Sequence, residues 1–543
     1  VQGQGVAVRA SPTPSGRGGR TDRRRRNHVD QLVNLADHAI AAPESPALIR
    51  SDGGVISFGE LYAKSQRVAA VLHSAGLRRG DGVALVLPNR PEFFEITWGC
   101  QLSGLYYTAV NTHFTPDEVA YVIEDSDAKA VFVDASMGDL AAHLRTTNAA
   151  VDVHFAVGGN LVGWQSFDDA VTRAGDAPPL SDGSEMLYSS GTTGRPKAVR
   201  RPLPTDGNGS WAQAVLEMAL THKYGMSQAS VYLSPAPLYH AAGVNYTMAV
   251  NRVGAAAIIM RKFDAEAVLR LIETYRVTHA QFVPTMFVRM LKLPEAVRQK
   301  YDVSSLRCVI HAAAPCPVDV KHQMMKWFGP IIHEYYGGTE GFAGTTIGPE
   351  EWLTHPGSVG IPMSPVHVVG DDGEELPIGQ RGELYFEGGP KFEYFKDPAK
   401  TASVSNEHGW RSLGDMGYVD EDGYLYLTDR STFMIVSGGV NIYPQEAENL
   451  LVMHPKLVDA AVFGVPNEEF GEEVKAVVQP VDGVTPGPDL EAELIEYCRT
   501  HLAGYKCPRT VEFELELPRD PNGKLYKRHI RERYWQGRSS RIV

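Results

Sequence analysis

Between about residues 30 and 430, short apolar runs alternate with stretches whose apolar residues recur at helical spacing. The run 83–87, Val83-Ala84-Leu85-Val86-Leu87, predicts a buried strand, and Pro91 opens a predicted helix that continues to Leu102. A strand over 107–110, a helix over 117–124 and a strand over 130–133 follow. The same rhythm returns as a strand over 255–260, a helix over 265–275 and a strand over 280–283 that stops at Pro284. Strands this apolar, separated by helices, predict parallel sheets covered on both faces.

The pattern changes after Asp429-Arg430. Short strands are predicted at 459–464, 474–479 and 511–515. A helix is predicted over 489–502, with Leu490, Leu494, Ile495, Cys498 and Leu502 on one stripe. The fold class expected is α/β, with a large N-terminal domain of parallel or mixed sheets flanked by helices and a small mobile α+β C-terminal domain. The expected boundaries are a basic tail over 1–28, the N-terminal domain over 29–430 and the C-terminal domain over 431–543. Residues 431–444 hold Gly438-Gly439 and few packing anchors, which suits a hinge.

Composition narrows the function. The 543 residues are enough for several domains, and no apolar run is long enough to span a membrane, so any membrane contact is expected to be peripheral. Five scattered cysteines, Cys100, Cys308, Cys316, Cys498 and Cys507, form no CxxC pair, so neither a disulfide framework nor a zinc site is expected and a reducing, cytoplasmic setting fits. The net charge of −13 argues against nucleic acid as a main partner. Residues 1–28 depart from that balance, with seven arginines against one aspartate. This tail is expected to be disordered, is compatible with a targeting segment, and is given no part in the chemistry. Monomer and homodimer both stay open.

Four segments carry candidate chemistry. In Tyr188-Ser189-Ser190-Gly191-Thr192-Thr193-Gly194-Arg195-Pro196-Lys197, two glycines turn backbone N–H groups toward an anion, hydroxyls add donors and Lys197 adds charge. It is not a Walker loop, because it has no Gly-Lys pair. In Glu334-Tyr335-Tyr336-Gly337-Gly338-Thr339-Glu340, Tyr336 offers a flat face for a purine, Thr339 a hydroxyl for a phosphate and Glu340 a hard oxygen for Mg²⁺. Glu334, Tyr335 and Gly337 are counted with them as nucleotide-site candidates. Asp415, after Gly414, and Arg430 suit ribose hydroxyls and phosphate. Pro521-Asn522-Gly523 predicts a tight turn presenting Lys524. Each segment alone has an ordinary structural explanation as a turn, a linker or a surface ion pair.

The order and spacing of the four resemble the adenylate-forming superfamily of acyl-CoA and aryl-CoA ligases, luciferases and peptide synthetase adenylation domains, over about residues 30–535. The overall likeness is to a bacterial-type fatty acyl-CoA synthetase. The resemblance implies ATP, Mg²⁺ and coenzyme A as cofactors. Ser189, Ser190, Gly191, Thr192, Thr193, Gly194 and Lys197 would hold the β- and γ-phosphates, and Ala312, Ala313 and Ala314 would let adenine approach the backbone beside Tyr336. Thr339 would meet the α-phosphate, Glu340 the metal, Asp415 and Arg430 the ribose, and Lys524 would be the mobile catalytic lysine. His240 resembles the family's gate beside the acyl pocket, for which Ala241, Gly243, Thr285, Ala312 and Gly338 are candidates. Ser437, Gly438, Gly439, Lys475, Tyr505 and Lys506 are candidates for coenzyme A. Thr432 occupies the hinge position, where lysine or aspartate is common.

The implied reaction is carboxylate attack on the ATP α-phosphate, giving an acyl-adenylate and pyrophosphate, followed by thiol attack to give acyl-CoA and AMP. A medium- or long-chain fatty acid is the expected substrate, with an aryl or cinnamate-type acid or a steroid side-chain acid as alternatives. An acyl-AMP ligase loading a carrier protein would share every ATP motif, and a catalytically silent nucleotide-binding homologue is the reading outside enzymology.

Overall fold

The computed structural model describes residues 34–148, 150–189, 196–204, 211–430, 433–438, 440–519 and 525–536. Within them the chain builds an α/β fold with a large N-terminal region and a smaller C-terminal one. A seven-stranded sheet runs, in spatial order, Gln165–Ser166, Val153–Val157, Ala128–Asp134, Gly82–Val86, Tyr106–Ala109, Ser184–Ser189 and Lys197–Arg200. Its pairs are parallel except the last. A nine-stranded sheet is parallel through its centre, from Cys308–His311 and His279–Phe282 to Val231–Ser234 and Ala256–Ile259, and antiparallel at both edges. The strands expected at 83–87, 130–133 and 280–283 are thus parallel and buried.

The helix Pro91–Leu102 has the bounds read from its sequence, and nearly all of its surface is buried. The reason is its position between the sheets. One apolar cluster joins Leu48, Tyr232 and Ala257 of the nine-stranded sheet to Val83, Tyr107 and Phe132 of the seven-stranded one. Phe93, Phe94 and Trp98 of this helix and Val244 and Met248 of the helix Ala241–Val253 lie within it. A helix clad by sheet on both sides has no solvent face, so its sequence loses the polar stripe of a surface helix. By contrast Phe58–Ser74 is amphipathic, and a capping box between Ser57 and Glu60 fixes its start.

A four-stranded antiparallel sheet, Val366–Val369, Gly382–Phe386, Arg411–Val419 and Leu425–Arg430, follows. It was not anticipated from the βαβ rhythm. The C-terminal sheet is built on the antiparallel pair Leu457–Asn467 and Gly471–Pro480, with Thr510–Phe513 parallel to the latter. Leu490, Leu494 and Cys498 of the helix Pro488–His501 pack on it, along the stripe expected from their spacing. Lys292 of the N-terminal region donates to the carbonyls of Val452, at 3.0 Å, and Leu457. Tyr526, two residues past Lys524, accepts a hydrogen bond of 3.4 Å from Asn111 Nδ2. The five cysteines are free, and no described helix is long and apolar enough to cross a membrane.

Candidate active site

The site forms where parallel strands of the nine-stranded sheet end, the place at which open α/β sheets bind ligands. Cys308–His311 and Ile332–Gly337 lie side by side with His311 opposite Glu334, so the chain after each emerges at one edge. After the first come Ala312, Ala313 and Ala314, and Ala313 holds φ at 75°. A left-handed alanine is strained, and this one is exposed. The end of the second strand and the residues after it carry Tyr336, Thr339 and Glu340.

Tyr336 donates from its hydroxyl to Asp415 Oδ2 at 2.7 Å, and its ring lies 6.3 Å from that of Phe386. Asp415 is buried within Arg411–Val419 and stands opposite Arg430 in the antiparallel register. The aromatic face and the carboxylate expected to meet a nucleoside are therefore joined directly. Glu340 is also buried, and its two oxygens accept from Tyr394, at 2.6 Å, and from Thr339 Oγ1, at 3.3 Å. Lys197 stands opposite Ser189 in the paired strands Ser184–Ser189 and Lys197–Arg200, with Nζ 5.8 Å from the Tyr394 ring centroid. Burial and the Lys400 charge pull its amine below the usual lysine range, while Glu340 opposes them. Burial and the Glu340 carboxylate raise the Tyr394 phenol far above its ordinary value, so it stays a hydrogen-bond donor.

Glu340 suits a magnesium ion. Among the described residues no cluster of three or more His, Cys, Asp or Glu side chains could hold a metal by itself, and magnesium takes one or two carboxylates together with substrate phosphates and water. A carboxylate that accepts two hydrogen bonds keeps lone pairs for such an ion.

Two expected nucleotide contacts are corrected by the geometry. Glu334 is buried with Oε2 2.7 Å from Lys321 Nζ and 3.3 Å from His311 Nε2, and against the cost of burial these neighbours, the Lys321 ammonium among them, hold its carboxyl below the usual range. Its charge is spent inside the fold. The Tyr335 side chain points away from Tyr336, stacking 5.6 Å from Tyr246 and accepting from Gln281 at 3.1 Å, as neighbours on a strand must face opposite ways.

Next to Thr339 opens a cavity of about 210 Å³. Gly338, Thr339 and Ala241 line it, together with Tyr335, Tyr246, Arg201 and Arg252. Other pocket candidates lie elsewhere. Thr285 and Ala312 are not in its wall. Gly243 faces the Pro237 carbonyl so closely that a Cβ would sit 2.2 Å from that oxygen, so it serves helix packing. His240 is the N-cap of the helix Ala241–Val253, half-buried with its ring 4.6 Å from that of Tyr239.

On the C-terminal sheet, Lys475 is buried and paired with Glu512 at 2.7 Å, and Lys506 is paired with Glu446 at 2.5 Å. Both lysines expected to meet coenzyme A therefore stand in ion pairs with glutamates of this region. Gly438 holds φ at 59° beside Ser437, its N–H donating to the Phe470 carbonyl, and Tyr505 is exposed. Ser190, Gly191, Thr192, Thr193, Gly194, Thr432, Gly439 and Lys524, and the side chains of Ser189 and Arg430, lie outside the described residues.

The chain matches the AMP-binding enzyme family over residues 35–391 and the AMP-binding enzyme C-terminal domain over residues 446–524. It belongs to the AMP-binding enzyme family. Within it, the chain is 34% identical to a feruloyl-CoA synthase of Amycolatopsis, an alignment covering 92% of this chain and 97% of the relative. It is 32% identical to a fatty acid–[acyl-carrier-protein] ligase of Streptomyces coeruleorubidus, covering 95% and 99%. The crystal structure of ATP-bound MatB from Rhodopseudomonas palustris superposes with a TM-score of 0.77 at 30% identity, covering 93% of this chain and 99% of that one.

For this AMP-binding enzyme, sequence motifs missed Tyr394, Arg201 and Arg252. Arg201 carries an available signal, following Lys197 by four residues, and it donates to the Thr339 carbonyl at 2.9 Å and to Glu185 at 3.3 Å. Tyr394 has none, since only the fold brings it to Glu340.

Proposed function

We propose that the chain is an ATP-dependent carboxylic acid–CoA ligase, forming an acyl-adenylate and pyrophosphate and then acyl-CoA and AMP. The observation that carries this is the convergence of Lys197, Thr339, Glu340, Tyr336 and Asp415 beside a cavity. Tyr336 and Asp415 hold the nucleoside. Lys197, the hydroxyl of Thr339 and the loop 189–194 hold the phosphates, fixing the α-phosphorus where a carboxylate from the cavity meets it in line. Attack brings two anions together, and donors held in place before reaction offset that repulsion. Glu340 would hold Mg²⁺, which supplies further positive charge at the phosphates when bound.

Lys524 then acts on the bridging oxygen from the C-terminal domain. We place the division at residues 430 and 431, with Thr432 as pivot, so that rotation withdraws Lys524 and brings Ser437, Gly438 and Gly439 toward the thiol. Of the acids considered, an aryl or other compact acid with polar substituents fits better than a medium- or long-chain fatty acid, because Arg201, Arg252, Glu185 and Asn245 interrupt the cavity wall. Carrier-protein loading is the second reading, favoured by the similarity to the Streptomyces ligase.

The test is carboxylate-dependent ATP–pyrophosphate exchange, followed by thioester assay with free CoA and with a phosphopantetheinylated carrier. Lys524→Ala is expected to abolish exchange while sparing thioester formation from supplied acyl-AMP. Equal loss of both half-reactions removes Lys524 from the adenylation step.

A further inference from the structure

The cavity runs along one helix. Ala241, Ala242, Asn245, Met248, Ala249 and Arg252 all line it, a spacing that places them on one face of Ala241–Val253. Gly338 and Thr339 line the cavity too, and by the ligase reading the reacting carboxylate lies beside them. Arg252 stands in the last turn of the helix, far along it from Ala241. From Ala241 to Arg252 the helix axis rises roughly 16 Å, a span shortened because helical side chains lean toward the N-terminus.

Arg252 is 7% exposed, and its surroundings leave it incompletely satisfied. Its Nε lies 3.4 Å from Glu217 Oε1, and the Trp98 ring supports the guanidinium plane at 4.9 Å. Among the described residues Nη2 is buried with no hydrogen-bond partner. A guanidinium presents five donors in a planar fork, and a buried donor left without a partner is costly. Where Arg252 lines the cavity, an acid ending in oxygen can accept from the guanidinium, whereas one ending in a methyl group cannot.

We propose that Arg252 is a specificity-determining residue, recognising a hydrogen-bond-accepting oxygen group, a second carboxylate or a phenolic hydroxyl, at the end of the substrate remote from the reacting carboxylate. This rests on the ligase reading above and names the acid class that reading leaves open. Tyr107 lines the same cavity, and its buried hydroxyl donates to Met248 sulfur at 3.3 Å; Arg201, the other arginine in the wall, already donates to the Thr339 carbonyl and to Glu185.

The test compares matched acids in AMP-forming CoA thioester synthesis: a phenylpropenoic acid with and without a para hydroxyl, and a medium-chain monoacid with and without an ω-carboxylate. The wild-type enzyme is expected to favour the oxygen-bearing member of at least one pair by about tenfold or more in kcat/KM, since sites built to hydrogen-bond a substrate group strongly reject analogues lacking it. The pair that shows the preference identifies which oxygen group is read. Arg252→Met is expected to erase the preference through KM while retaining turnover of the apolar member, and Arg252→Lys to retain part of it. Because the wild-type ratio is measured first, a variant that fails to fold leaves that arm decisive. Equal or better turnover of both apolar members by wild type overturns the proposal and leaves the ligase reading standing. Absence of pyrophosphate exchange with every acid overturns the ligase reading itself, and the proposal with it.

Discussion

Glu340 is where removal of a single charge should separate chemistry from packing. It and Tyr394 are each 8% exposed, and the 2.6 Å hydrogen bond between them is charge-assisted. Such bonds contribute about 1.5–3 kcal/mol. Glu340→Gln keeps the volume and an oxygen to accept from Tyr394, so its effect on unfolding should stay within about 1 kcal/mol, the range of an ordinary neutral hydrogen bond. What it removes is the negative charge facing the phosphates. The Mg²⁺ concentration giving half-maximal ATP–pyrophosphate exchange should therefore rise. Tyr394→Phe leaves the carboxylate but frees its orientation, and loss of such a supporting partner typically costs about 10–100-fold in metal affinity or activity. In the double variant the second change should add little to the first, because Tyr394 acts through Glu340, giving a coupling of about 1.5–3 kcal/mol if the bond carries the effect. Mg²⁺ titrations of exchange, paired with urea unfolding of the same four proteins, provide both readings. Unchanged Mg²⁺ dependence in Glu340→Gln together with a clear loss of stability would refute the assignment and make Glu340 a structural link between Thr339 and Tyr394.

Gly243→Ala should destabilise the fold by about 1–3 kcal/mol in denaturant unfolding, because its Cβ meets the Pro237 carbonyl oxygen at 2.2 Å and backbone cannot easily withdraw; an unchanged midpoint would show that the helix shifts freely. Burial lifts the Glu217 carboxyl to about 7, against the opposing Arg252 charge. The folded state then keeps a proton that the unfolded chain releases from the ordinary value of 4.5 upward, so this group lowers stability as pH rises from about 4.5 to 7, by about 3 kcal/mol, and adds nothing further above that. Glu217→Gln should flatten that component, and parallel stability–pH curves for variant and wild type would exclude it. Lys292→Met removes the donor to the Val452 and Leu457 carbonyls, a loss of about 1.5–3 kcal/mol for charged donors. Amide exchange in residues 440–465 should quicken, and unaltered protection would mean that these bonds do not hold the C-terminal region.

What the sequence disclosed depended on how local the determining interactions are. Pro91–Leu102 and Ala265–Tyr275 were legible to the residue, since Pro91 and the Asp264 cap start them and Ser103 and Arg276 end them within a few positions. The strand over 83–87 was legible because burial on both faces demands an unbroken apolar run. The antiparallel sheet from Val366 to Arg430 was not, because its half-exposed strands are short and their pairing is fixed by partners up to tens of residues away. Glu334 shows the same limit within the site. It sits two residues from Tyr336, and strand period puts both side chains on one face, yet Lys321 from the helix Val318–Phe328 claims its carboxylate.

Arg252 carries the argument one step further. In sequence, Asn245 and Arg252 in an otherwise apolar helix read as a narrow polar face, which solvent would ordinarily receive. The fold denies it solvent, because Ala241–Val253 lies in the cluster that binds two sheets together and is buried along most of its length. A polar stripe on a helix so enclosed has to meet either another buried group or a ligand. Glu217 meets one edge of the guanidinium, and Arg252 is also among the residues that line the cavity bordered by Thr339. The residue least informative as a motif is therefore the one we propose to read the remote end of the acid.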